Sequence, residues 1–148
     1  MSVFVDTNVF VYAVDPLDAQ KQARAREILR RVGLAGHGVI STQVVAEFTA
    51  VVSRRMRQAA VRSTVSRSAR LIIDTWRVEP VDTAVVSAAL GLHERQAISY
   101  WDAQILASAK LAGCSALLTE DVLVPRLLGV EYVNPFAEGF DVAAFESG

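Results

Sequence analysis

One cysteine, Cys114, is all the chain has, so no internal disulfide can form. A secreted domain of 148 residues would more often carry an even set. The expectation is therefore a cytoplasmic protein, with Cys114 buried as a small apolar residue. No apolar run reaches about 18 residues, which excludes a membrane-spanning helix. The opening Met1-Ser-Val-Phe-Val-Asp6 has no basic start and no long apolar stretch, so it does not read as a signal peptide. Histidine is scarce as well. His37 lies in a Gly-rich loop and His93 in a helical stretch, neither with a partner at metal-site spacing, so both read as incidental. Repeats, low-complexity tracts and linkers are also missing.

Apolar residues make up 52% of the 148, enough for one ordinary core. The net charge of −1 conceals a segregation. Between Gln20 and Arg77 lie 12 of the 15 basic residues against Glu27, Glu47 and Asp74 alone. Eleven of those 12 are arginines, which suit bidentate contact with phosphate. A single exposed Arg is usually a solvated helix surface. The block as a whole points to a polyanion or an acidic partner.

Strand and helix patterns alternate along the chain. Val3 to Val5 reads as a buried strand ending at Asp6. A short helix from about Val9 is interrupted at Pro16, and Asp18 caps a second that runs to about Val32. Val39-Ile40 is a strand. Ser41 or Thr42 then caps a helix with the stripe Val44, Val45, Phe48, Val51, Val52 and Met56. Ser63 to Thr75 reads as a helix, and Val78 to Val81 as a strand that Pro80 assigns to an edge. Asp82 or Thr83 caps a helix through about Gln96, and Ser99 starts another that ends at Gly113. Ser115 to Leu118 is a strand, followed by a short helical turn and a last strand at Glu131–Val133. The pattern predicts an α/β protein, with a domain over residues 1–136 and a turn-rich surface tail over 137–148. Parallel sheets of this kind bind ligands at the carboxyl ends of their strands.

Four carboxylates stand at suggestive places. Asp6 follows the first strand, and Asp121 lies just past the strand that ends at Leu118. Asp102 is in the first turn of a helix. Glu47 sits beside an apolar stripe, in Val44-Val45-Ala46-Glu47-Phe48. Each also has a plain structural use. Asp6 could end a strand in a turn, Asp102 could close a capping box with Ser99, Asp121 could cap a turn, and Glu47 could pair with an Arg. Taken together they suggest more. Carboxylates brought close repel, and a hard divalent cation such as Mg²⁺ or Mn²⁺ removes the conflict.

The ordered set resembles the PIN-domain family. Val-Phe-Val-Asp6-Thr7-Asn8 looks like its opening, and Ser41-Thr-Gln-Val-Val-Ala-Glu47-Phe its helical glutamate. Ile98-Ser99-Tyr-Trp101-Asp102-Ala is similar to its third acidic motif, and Ala116-Leu-Leu-Thr119-Glu120-Asp121 to its fourth. Val133-Asn134-Pro135-Phe136 is common in the VapC-type toxins of that family. The resemblance implies a Rossmann-like three-layer α/β/α sandwich with a short, mostly parallel sheet. It implies a Mg²⁺- or Mn²⁺-dependent ribonuclease with Asp6, Glu47, Asp102 and Asp121 as ligands. Thr119 would orient a water or a carboxylate, and Thr7 and Asn8 would serve structure, Asn8 by capping the first helix. Glu120 competes with Asp121 for the fourth position. An RNA substrate, a cognate antitoxin and a homodimer are implied too, with the Ser41–Met56 and Ser63–Thr75 helices as surfaces.

Two other readings remain open at this stage. One is a non-catalytic PIN-like module that binds RNA or protein. The other takes Asp6 as a phosphoacceptor, although no Asp-x-Asp-x-Thr pattern follows the first strand.

Overall fold

The computed structural model describes residues 1–55 and 59–145. Its elements are β1 (Val3–Val5), α1 (Thr7–Val14), α2 (Ala19–Leu34), β2 (Gly38–Ser41), α3 (Thr42–Arg55), α4 (Ala59–Thr75) and β3 (Arg77–Glu79). After these come α5 (Thr83–Arg95), α6 (Tyr100–Leu111), β4 (Ala116–Leu118), β5 (Arg126–Leu127), β6 (Val130–Val133) and a 3₁₀ turn, Val142–Phe145. The six strands form one sheet in the order β3-β2-β1-β4-β6-β5, flanked by helices as an α/β/α sandwich. All neighbours are parallel except β5 against β6.

The central strands β1, β2 and β4 are buried along their length because helices cover both faces. Val3, Phe4 and Val5 are fully buried, as are Ile40 and Leu118, and each such side chain contributes about 1.5–3 kcal/mol. Helix starts follow local chemistry. Asp18 caps α2 through Lys21 N, Asp82 caps α5 through Ala84 N and Val85 N, and Ser99 caps α6 through Asp102 N. Pro80 lies just past the edge strand β3, where its missing N–H costs nothing. Cys114 is a buried free thiol, pushed up to about 11 by desolvation.

The structure corrects three local expectations. Helix α1 begins at Thr7, not Val9, because Asp6 itself caps it: its carboxylate accepts from Thr7 N at 2.6 Å, and Asn8 does not cap. The segment after β4 forms no helix but runs to the two-residue strand β5, which hairpins onto β6 through Leu128 and Gly129, both at positive φ. The segment beyond Asn134 is docked, with Arg24 donating to the carbonyls of Pro135 and Phe140 and Val142 buried against the core. Met56, expected in the α3 stripe, lies outside the described residues. Among the described residues, no helix is long and apolar enough to cross a membrane.

Gly38 marks the closest packing at the sheet. A Cβ there would lie 2.2 Å from the Trp76 ring, which is itself held edge-on against Phe10 with centroids 5.1 Å apart. Gly38→Ala should therefore destabilise the fold by about 1–3 kcal/mol, read as a lower urea midpoint with an unchanged slope. A wild-type midpoint would contradict this packing.

Candidate active site

The strand order reverses between β1 and β4: the chain leaves β1 toward β2 on one side, and β4 occupies the other. The crevice at such a point lies beyond the carboxyl ends of the two strands. There the Asp6 backbone N–H donates to the Leu118 carbonyl at 3.0 Å, so the chain leaving β1 is fastened to the end of β4. Two of the four expected acids, Asp6 and Asp121, thus flank one crevice for a topological reason. Glu47 reaches it from the second turn of α3, and Asp102 from the first turn of α6. All four line one cleft of about 330 Å³, with Thr7, Tyr12, Gln43, Trp101 and Arg55 among its other walls.

The carboxylates of Asp6, Glu47 and Asp102 are held by neutral donors. Thr119 Oγ1 donates to Asp6 Oδ2 at 2.8 Å, and Thr119, buried at the end of β4, also receives Asn8 Nδ2 and Asp121 N at 3.1 Å. Thr7 Oγ1 donates to Glu47 Oε2 and Gln43 Nε2 to Glu47 Oε1, both at 2.8 Å. Ser99 Oγ donates to Asp102 Oδ2 at 2.6 Å and accepts from Asp102 N, which forms the N-cap half of the capping box, with the Asp102 carboxylate turned to the Ser99 hydroxyl. None of the four acids forms an ion pair among the described residues; Arg55 on the rim is engaged with Asp15.

Glu120 is diverted from the cleft. It pairs with Lys21 and accepts from the Tyr12 hydroxyl, and these contacts hold its carboxyl below the usual range against the opposing effect of burial. Asp121, not Glu120, therefore faces the cleft. Of the basic block, Arg24, Arg26, Arg55 and Arg77 are spent on carbonyls or local acids, which is the structural use expected of single arginines. Arg30, Arg54, Arg62, Arg67 and Arg70 are exposed.

Asp6 shows what burying a carboxylate costs. Desolvation, opposed by the hydrogen bonds of Thr119 and Thr7 and aided by the charges of Glu47 and Asp121, pushes its carboxyl up from 3.8 to about 6. Sequence reasoning missed Tyr132 on β6. Its hydroxyl is buried without a partner and shares a small recess with Asp6, Asp102, Thr119 and Asp121. Desolvation, then Asp102 and Asp6, push it up to about 12. The only signal in the sequence was an aromatic residue on a strand next to β4.

The PIN-domain family model matches residues 3–127. The chain belongs to the PIN-domain family. Similar solved structures include the Mycobacterium tuberculosis VapC20 sarcin-ricin loop cleaving toxin. It is 20% identical over 88% of this chain and 99% of its own, with a TM-score of 0.65. A Klebsiella pneumoniae toxin-antitoxin complex is 19% identical over 91% of this chain and 98% of that one, with a TM-score of 0.67. VapBC2 from Rickettsia felis, bound to a promoter DNA fragment, is 16% identical over 90% and 98%, at 0.66. At these identities the likeness is one of fold. No curated protein sequence matches the chain.

The donor set of this PIN domain suits a hard divalent ion in kind: carboxylate oxygens without cationic partners, and an orphaned hydroxyl beside them. It is not gathered in advance. Among the described residues, no three Asp, Glu, His or Cys side chains stand close enough to hold one ion.

The sign of the Asp6 effect is fixed. Its folded pKa lies above the unfolded value, so the stability it contributes is complete below about 3.8 and lost as pH rises through about 6. The loss is about 3 kcal/mol at pH 8. Asp6→Asn should therefore raise the urea midpoint of the metal-free protein at pH 8 and leave it nearly unchanged at pH 4. An equal change at both pH values would rule out the buried charge of Asp6 as the cause.

Proposed function

We propose that this PIN domain is a metal-dependent endoribonuclease, the toxin of a toxin–antitoxin pair. The observation that carries the reading is the convergence of Asp6, Glu47, Asp102 and Asp121, from four separate parts of the chain, on one cleft without an ion-paired Lys or Arg among the described residues. The named toxins among its structural neighbours support the second half of the proposal, as do their complexes with antitoxins.

Asp6, Glu47, Asp102 and Asp121 would hold Mg²⁺ or Mn²⁺, directly or through water. When bound, the ion would polarise a phosphoryl oxygen and lower the pKa of a water that attacks phosphorus. The chain's own contribution is orientation. Thr119 keeps one Asp6 oxygen turned toward β4, and Thr7 with Gln43 fixes both oxygens of Glu47. Thr119 is thus a positioning residue. The exposed arginines of α3 and α4 would hold the RNA backbone, an attraction that weakens with salt. An antitoxin and a second copy of the chain complete the proposed partners, with α3 and α4 as docking surfaces.

The test is cleavage of RNA by the pure chain. Activity should require Mg²⁺ or Mn²⁺, vanish in EDTA and return on adding the ion. Asp6→Asn and Glu47→Gln should abolish it with the fold intact. Thr119→Val should lower it by about 10–100-fold and weaken Mn²⁺ binding in step. A second reading, a non-catalytic RNA-binding module, draws on the carboxylates' not being gathered beforehand. Tight RNA binding without turnover in Mn²⁺ would select it.

A further inference from the structure

Trp101 lies at the first turn of α6, immediately before Asp102, and is 62% exposed. An exposed indole is informative where an exposed Leu is not, because so large an apolar surface is rarely left in water without use. Its backbone is not loose. Gln43 Nε2 donates to the Trp101 carbonyl at 3.3 Å, and the ring stands edge-on to Tyr100 with centroids 5.5 Å apart.

The indole borders two cavities at once. On one side is the acidic cleft. On the other is an open trough of about 590 Å³ between α3 and α6, walled by Ala46, Ala50 and Val81. Gln43, Glu47 and Trp101 belong to both, so the trough is continuous with the cleft.

The two amides on the floor of the trough are engaged with their neighbours. Gln43 Nε2 is shared between Glu47 and the Trp101 carbonyl, and its Oε1 accepts from Gln104 Nε2 at 2.8 Å. Gln104 Oε1 accepts from the Tyr100 hydroxyl at 2.8 Å. The largest surface left to a ligand is the indole face with the methyl groups of Ala46, Ala50 and Val81, beside the Thr42 hydroxyl and the Glu47 carboxylate.

We infer that the Trp101 trough takes the nucleobase next to the phosphate held in the acidic cleft, by stacking and not by hydrogen-bond readout. The inference rests on the ribonuclease reading for the identity of the polymer. Two consequences follow. The base must be unpaired, because a base inside an A-form duplex has no free face to present. Preference follows stacking area, so a purine is favoured over a pyrimidine, with little discrimination within each class.

The test uses the full chain in EDTA at low salt, where binding is read without cleavage. The probes are single-stranded adenosine and cytidine octamers and an abasic ribose-phosphate octamer, followed by anisotropy and by tryptophan emission. Wild type should bind the adenosine octamer more tightly than the cytidine one, and both more tightly than the abasic chain, with emission quenched by the base-bearing probes only. Trp101→Ala should lose about 10–100-fold for adenosine, and Trp101→Phe should stay within about 3-fold of wild type. Neither variant should change affinity for the abasic chain. Equal losses on adenosine and abasic chains would overturn the inference, as would wild-type RNA affinity in Trp101→Ala, the result expected if the indole docks a protein. The nuclease reading fails separately, if the wild-type chain cleaves no RNA in Mn²⁺.

Discussion

The structure is organised around acids left without cations. Four carboxylates line one cleft at the carboxyl ends of β1 and β4, and no lysine or arginine among the described residues pairs with them. The fold tolerates this because three of the four are tied to neutral donors: threonine hydroxyls for Asp6 and Glu47, an amide for Glu47, a cap serine for Asp102. Hydrogen bonds to the charged form offset part of the desolvation, and for Asp6 they do not offset all of it. The residual cost is a polar site kept under electrostatic tension inside a well-packed frame.

That frame is what makes the tension sustainable. The strands behind the cleft are short and fully apolar, and Asp6 leaves β1 already hydrogen-bonded to the end of β4. Thr119, buried and linked to Asp6, Asn8 and Asp121, ties the two strand ends into one polar unit. The neighbouring Lys21–Glu120–Tyr12 cluster removes a fifth carboxylate from the cleft by supplying the cation that the other four lack. The segregation of charge seen along the chain thus resolves in space into paired acids around the rim and unpaired ones at the centre.

At 16–20% identity the solved neighbours share the fold over most of the chain. The trough beside Trp101 lies outside the frame, on the exposed faces of α3 and α6, where surface substitutions cost the fold little.

Much of the architecture could be read from the sequence because it is encoded locally. Apolar triplets made strands, Asp18, Asp82 and Ser99 made caps, and Pro80 marked the edge. The four acids were legible as a set because each lies at a strand end or on a helix turn that alternation already fixes. The hairpin of β5 on β6 was not, since two residues carry no periodicity. Nor were the docking of the C-terminal segment on α2, the orphaned Tyr132 hydroxyl, or the choice between Glu120 and Asp121. These depend on which side chains meet across more than 90 residues of chain, as Lys21 meets Glu120, and such meetings belong to packing, not to local pattern. The sequence marked most of the elements and every charged residue. Which of those charges are compensated was settled by packing, because compensation depends on distance in space.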